Sequence, residues 1–151
     1  MRNVSLWRAV LGVDRRTVIE EIAFDEDEEL VVAHVRPRTG VRGRCGRCGR
    51  KAPWYDRGEG RRRWRALDLG TVRVELEAEA PRVSCPEHGP TVIAVPWARH
   101  KAGHTLGFDD TVAWLAVFIS YVESGACRSV RTASRPRSVA DQLGRATMGR
   151  G

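Results

Sequence analysis

Two short motifs constrain this chain more than anything else in it. Cys45-Gly-Arg-Cys48 and Cys85-Pro-Glu-His88 each set two metal-binding side chains three positions apart, and each is followed by glycine. Two thiolates at that spacing turn onto one ion when a glycine-bearing turn aims its amides at the sulfurs. Together the half-sites supply three sulfurs and one nitrogen, a closed tetrahedral set suited to one structural Zn2+. Between Cys48 and Cys85 lie 36 residues, longer than a simple ribbon but enough for two strands that bring the chain back. Zinc contributes on the order of 10 kcal/mol in small finger peptides, comparable with the whole net stability of a domain. A redox C-x-x-C sits at a helix start after a strand; here it lies among glycines and arginines with no helical period following. A catalytic zinc keeps one position open, and four protein ligands leave none. His34 reads as an ordinary strand histidine. His100 and His104 are four apart, but Gly103 between them argues against a helical metal pair. Cys127 reads as a free thiol.

Around these motifs the chain reads as α+β. Ser5–Leu11 has helical spacing and ends at Gly12, which suits the left-handed position after a helix. Thr17–Phe24 and Leu30–Arg36 flank the acidic run Asp25–Glu29 as a hairpin, with imperfect alternation in the first strand. Arg61–Leu69 is expected to be a strand ending at Gly70. From Thr71 to Cys85 the alternation is strict: Val72, Val74, Leu76, Ala78 and Ala80 take one face, and Arg73, Glu75, Glu77 and Glu79 the other, until Pro81 interrupts. Val92–Val95 is expected to be a last short strand. Phe108–Val122 reads as a helix, with an apolar stripe of Phe108, Val112, Leu115, Ile119 and Val122 and with Thr105 or Gly107 as its cap. The expected organisation is a helix and hairpin over residues 1–40 and a small antiparallel zinc-ribbon-like domain over 41–96. A linker and helix follow over 97–123, then a disordered Ser/Arg-rich tail over 124–151.

Charge points to a polyanion. Of 26 basic residues only Lys51 and Lys101 are lysine. Residues 36–65 carry twelve basic side chains against Asp56 and Glu59, while residues 14–35 carry eight acidic ones against two arginines. Arginine forks match phosphate oxygens, and phosphate contacts supply most non-specific affinity for nucleic acid. The expected DNA contacts are Arg44, Arg47 and Arg50 beside the metal, and Arg57, Arg61, Arg62, Arg63 and Arg65 beyond it. Trp64 sits among strand neighbours and reads as core packing rather than as a base-stacking platform. No apolar run is long enough to span a membrane, and the N-terminus lacks the apolar core of a secretory signal, so the expected location is cytoplasmic and nucleoid-associated.

Taken in order, several runs resemble a known family. They are Cys45-Gly-Arg-Cys48-Gly, Tyr55-Asp56-Arg57, Arg63-Trp64-Arg65-Ala66-Leu67-Asp68-Leu69-Gly70, Pro81–Gly89, Val95–Arg99 and Phe108–Ala116. They resemble the N-terminal part of bacterial insertion-sequence transposases of the IS-L-three family, over roughly Leu6 to Ala116. The resemblance implies a zinc finger, then a helix-turn-helix, then a catalytic domain with three metal-binding carboxylates. It implies that finger and helix-turn-helix recognise the terminal inverted repeats of the element. It carries the zinc ligands onto Cys45, Cys48, Cys85 and His88.

The family runs for several hundred residues, and after about Ala116 the expected pattern gives way to Ser/Arg-rich sequence. The expectation is therefore a truncated transposase fragment, produced by a frameshift or early stop. It would be a DNA-binding zinc module without its own catalytic domain and not itself an enzyme, with inverted-repeat DNA and full-length transposase or a second copy as partners. The alternatives are a stand-alone zinc-ribbon regulator of DNA or RNA and a decayed reading frame. A small hydrolase is disfavoured because no nucleophile and base stand at an interpretable spacing.

Overall fold

The computed structural model describes residues 3–123. The expected tail and Cys127 lie outside the described residues. The chain divides into two compact units, residues 1–108 and 109–151, and the first holds the seven strands.

Helix α1 spans Val4–Leu11 and stops at Gly12, whose φ of 63° is the left-handed turn that only glycine adopts freely. Leu11 and Val13 then enter the core. Strands β1 (Thr17–Asp25) and β2 (Leu30–Pro37) form the expected antiparallel hairpin. The Asp25 carboxylate accepts the amides of Asp27 and Glu28 at 3.1 Å each, so the acidic run becomes a self-bonded exposed turn. Ile19 pairs with Val35 but Glu21 pairs with His34, leaving Glu20 as the extra residue of a bulge. That bulge is why the alternation in β1 is imperfect.

Strand β3 is Trp54–Asp56, β4 is Arg61–Arg65 and β5 is Arg73–Glu79. The main sheet runs β1-β2-β5-β4. Its centre is a parallel pair, β2 on β5, so the sheet is mixed rather than wholly antiparallel. Period-2 patterning assigns faces but not partners, which is why the parallel ladder is invisible in the sequence. β2, paired on both sides, is buried at Leu30, Val31, Val32, Ala33 and Val35. β4 is shorter than expected because Ala66 leaves the strand to donate to Val74 and Leu69 closes on Val72. Residues 103–105 cover its free edge: Arg65 donates to Gly103, and Thr105 donates back to Arg65, both at 2.9 Å.

The expected run from Thr71 to Cys85 is two strands in two sheets. β5 ends at Glu79, Pro81 carries the chain across, and β6 (Arg82–Cys85) joins β3 and β7 (Gly89–Val92) in the order β3-β6-β7. The last strand thus comes three residues earlier than expected. Pro90 is tolerated there because β7 is an edge strand. Each sheet has its own core. The larger packs Ala33, Val35, Trp64, Val74, Leu76 and Trp97; the smaller packs Cys45, Ala52, Val83, Cys85 and Ile93. Trp64 is 2% exposed and meets Trp97 edge-on at 5.5 Å, which leaves no ring face for a base.

Helix α2 spans Leu106–Glu123. Of the two expected caps it uses Thr105, whose hydroxyl accepts the Phe108 amide at 3.3 Å; Gly107 is inside the helix. Trp114 and Phe118 stack along it at 5.4 Å. Val112, Leu115 and Ile119 of the expected apolar stripe are exposed, as is Val117.

Candidate metal centre and the arginine surface

The first half-site is a tight backbone knuckle. Cys45 donates its amide to Arg50 and accepts that of Gly49, both at 2.8 Å, and Gly49 takes a φ of 71° to close the loop. The Arg47 amide points at the Cys45 sulfur at 3.4 Å, as the glycine-bearing turn predicted. The second half-site is the turn between β6 and β7, where Cys85 pairs with Gly89. Three backbone links bring the half-sites together. Gly46 donates to Val92 at 3.0 Å, Ala94 donates to Arg44 at 2.7 Å, and Ser84 donates to Pro53 at 2.9 Å.

The result is a four-cornered cluster. Ligand atoms of Cys45, Cys48, Cys85 and His88 all lie within 4.8 Å of one another. The sulfurs of Cys48 and Cys85 are 3.6 Å apart, and His88 Nδ1 is 3.8 Å from the Cys45 sulfur and 3.6 Å from that of Cys85. A tetrahedral zinc with Zn–S of about 2.3 Å separates its sulfurs by about 3.8 Å, so the cluster has the size the ion needs. Cys45 and Cys85 are buried, which shields the centre from water. The His88 imidazole, through its hydrogen bond, holds the Cys85 thiol below its ordinary range, toward the thiolate that binds metal. Donor set, spacing and enclosure all fit zinc. Among the described residues no other group of histidine, cysteine and carboxylate side chains converges in this way.

The remaining histidines stand apart from the cluster. His104 stacks on Phe108 at 5.0 Å. His100 packs over the knuckle, where a Cβ added at Gly46 would lie 2.6 Å from its Nδ1. Sequence reasoning did not mark this contact; the glycine directly after the first cysteine was its only signal.

The eight arginines expected to meet DNA differ in how freely they are held. Arg44 donates to the Gly49 carbonyl at 3.1 Å, and Arg50 pairs with Glu87 at 2.9 Å. Arg61 and Arg63 both bind Glu77 at 2.8 Å, and Arg65 binds Asp68 at 2.8 Å. Arg62 lies over the Trp64 ring at 5.3 Å and donates to the Ala102 carbonyl at 2.7 Å. Arg47 and Arg57 are exposed and make no side-chain hydrogen bond or ion pair among the described residues. Arg42, which the sequence did not single out, is in the same state.

Comparison with known proteins agrees with the geometry. Residues 42–88 match the family described as the zinc-finger of transposase IS204/IS1001/IS1096/IS1165. The chain is 66% identical over 139 residues to the transposase for insertion sequence element IS1557 of Mycobacterium tuberculosis, in strain CDC 1551 / Oshkosh and equally in strain ATCC 25618 / H37Rv. That match takes in 89% of this chain and 31% of each relative. No solved structure matches it. Since 89% of 151 residues is about 134, the matched stretch takes in residues 18–134 wherever it begins. The matched stretch therefore extends past Ala116, beyond the point where the expected pattern gives way in the sequence. The chain spans about a third of the length of the curated relatives it matches. Over residues 42–88 it thus matches the zinc ribbon of these transposases, and over most of its length it is similar to about a third of the IS1557 transposase.

Proposed function

We propose that this chain is a zinc-stabilised DNA-binding portion of a transposase, holding one ion per chain and recognising the terminal inverted repeats of its element. The observation that carries this reading is the enclosed Cys3His cluster with Arg44, Arg47 and Arg50 rooted in or beside its knuckle. The ion fixes the loop, and the loop fixes the arginines, so the cations are preordered before a phosphate arrives. Arg57, Arg61, Arg62, Arg63 and Arg65 extend the cationic surface. In this reading ion-paired members such as Arg61 and Arg63, still more than half exposed, exchange part of their carboxylate contact for phosphate. The chain contributes binding rather than strand cleavage. Its partners beyond DNA are full-length transposase or a second copy, and its place in the cell is the nucleoid.

The test is a titration of zinc-loaded protein against a labelled inverted-repeat duplex and a shuffled duplex, across a salt series. The expected outcome is tighter binding to the repeat and a steep fall with salt, about 0.9 in logarithmic slope per phosphate contacted. Chelation should abolish both. Equal affinity for the two duplexes defeats the recognition claim; binding that survives complete zinc removal defeats the zinc-ordered surface.

A further inference from the structure

The charged face of the main sheet and the edge of the ribbon enclose a groove of about 790 Å3, separate from the metal centre. Its floor carries Arg61 and Arg36, already joined to Glu77 and Glu20. Its remaining cations are Arg42 and Arg57, which have no partner among the described residues. Glu79 is the groove's one carboxylate without an ion pair among the described residues, so the cations stay in excess. Trp54, on edge strand β3, lines the same groove and is 61% exposed. A tryptophan this exposed beside two unneutralised guanidinium groups is a combination the fold itself does not use. Trp64 and Trp97, by contrast, are buried.

We propose that this groove holds an unpaired stretch of a DNA strand, with one base stacked on Trp54 and the flanking phosphates on Arg42 and Arg57. The inference rests on the DNA-binding reading above and adds a strand state to it. A flat apolar ring flanked by cations matches a ligand with a flat face and flanking anions. In a duplex the base faces are covered by their neighbours, so an exposed ring selects unpaired nucleotides. The groove lies within the roughly 300–1,000 Å3 range of ligand sites, a volume suited to a nucleotide rather than to a double helix.

The experiment uses the full zinc-loaded chain with labelled oligothymidylate and with the inverted-repeat duplex. Trp54→Ala should weaken oligothymidylate binding about ten-fold or more while leaving duplex affinity unchanged, and Trp54→Phe should restore most of it. Replacing Arg42 and Arg57 together by alanine should flatten the single-strand salt slope by about 1.4, at about 0.7 per phosphate. The same change at Arg15 and Arg73, exposed elsewhere, should not. Unaltered zinc content and circular dichroism establish that each variant is folded. The inference is overturned if Trp54→Ala binds oligothymidylate like the parent, or loses single strand and duplex alike. Zinc-dependent duplex binding with no single-strand binding overturns the groove alone; absence of any DNA binding overturns the broader reading with it.

Discussion

Gly46 and Val92 approach so closely that a Cβ built on the glycine would lie 2.6 Å from the Val92 carbonyl oxygen. The same atom would lie 2.6 Å from His100 Nδ1. The imidazole can swing aside, but the carbonyl belongs to β7 and already accepts the Gly46 amide at 3.0 Å. Gly46→Ala should therefore push the knuckle away from β7 and cost about 1–3 kcal/mol, the usual range for overpacking. Thermal unfolding of the zinc-loaded variant measures it; an unchanged midpoint would show that the two half-sites are not held by this contact.

Removing zinc should unfold one core and spare the other. Cys45 and Cys85 are themselves members of the smaller cluster, whereas the larger is built on the main sheet without them. Chelation, or Cys48→Ser, should abolish amide protection across β3, β6 and β7 while β2 and β5 keep much of theirs. Hydrogen exchange read strand by strand checks this. Simultaneous loss in both sheets would mean that the metal supports the whole unit.

Glu77 gives the main sheet a dependence on pH. Its carboxyl is held below the ordinary glutamate range, first by Arg61 and then by Arg63 of β4, with His34 of β2 adding a smaller pull. Glu75 and Glu79 are the acidic neighbours on its own strand. A carboxylate with a depressed folded pKa stabilises the fold above its unfolded pKa, and that stability is lost as pH falls through the folded value. Both arginines are more than half exposed, so solvent screening reduces the contribution to about 1 kcal/mol. Glu77→Gln should lower stability at neutral pH by this amount and flatten its decline below about pH 4.3, the unperturbed glutamate value. Denaturant midpoints at a series of pH values measure both.

Trp64 should be the costliest side chain to truncate. It is 2% exposed, packs edge-on against Trp97 and faces Leu76 across the β4–β5 ladder. Trp64→Ala should destabilise the unit by about 3–5 kcal/mol. DNA affinity of the fraction that remains folded should fall only as far as Arg62, which lies over the ring, loses its support. Equilibrium unfolding and a binding titration on the same variant separate the two effects.

The convergence of the four candidate ligands was legible because its chemistry is local. Two residues three apart in each half-site, each with a following glycine, were enough to name Cys45, Cys48, Cys85 and His88. The hairpin, both helices and the burial of Val74, Leu76 and Ala78 were legible from periodicity for the same reason. The polar face of β5 was less so. Glu77 sits on the side expected to meet water, yet it is 9% exposed because arginines from the next strand close over it. A residue's partner across a ladder is not written in its own neighbourhood. The arginine surface was hidden in the same way: sequence counts cations, but which of them are already neutralised depends on strand register. Arg63 faces Glu77 and Arg65 faces Glu75, while Arg42 and Arg57 lie outside any named strand. Trp54 and Trp64 look alike in sequence, each among basic neighbours, and the fold buries one and exposes the other.

The parallel ladder has a kinetic consequence. To lay Leu30 beside Arg73 the chain closes a long loop, and the first half-site travels inside it while the second lies beyond. Coordination of the ion ties off much of that same loop, so each event shortens the search left to the other. Refolding in the presence of zinc should then be faster as well as more complete, with the ion acting as a guide to assembly before it acts as a brace.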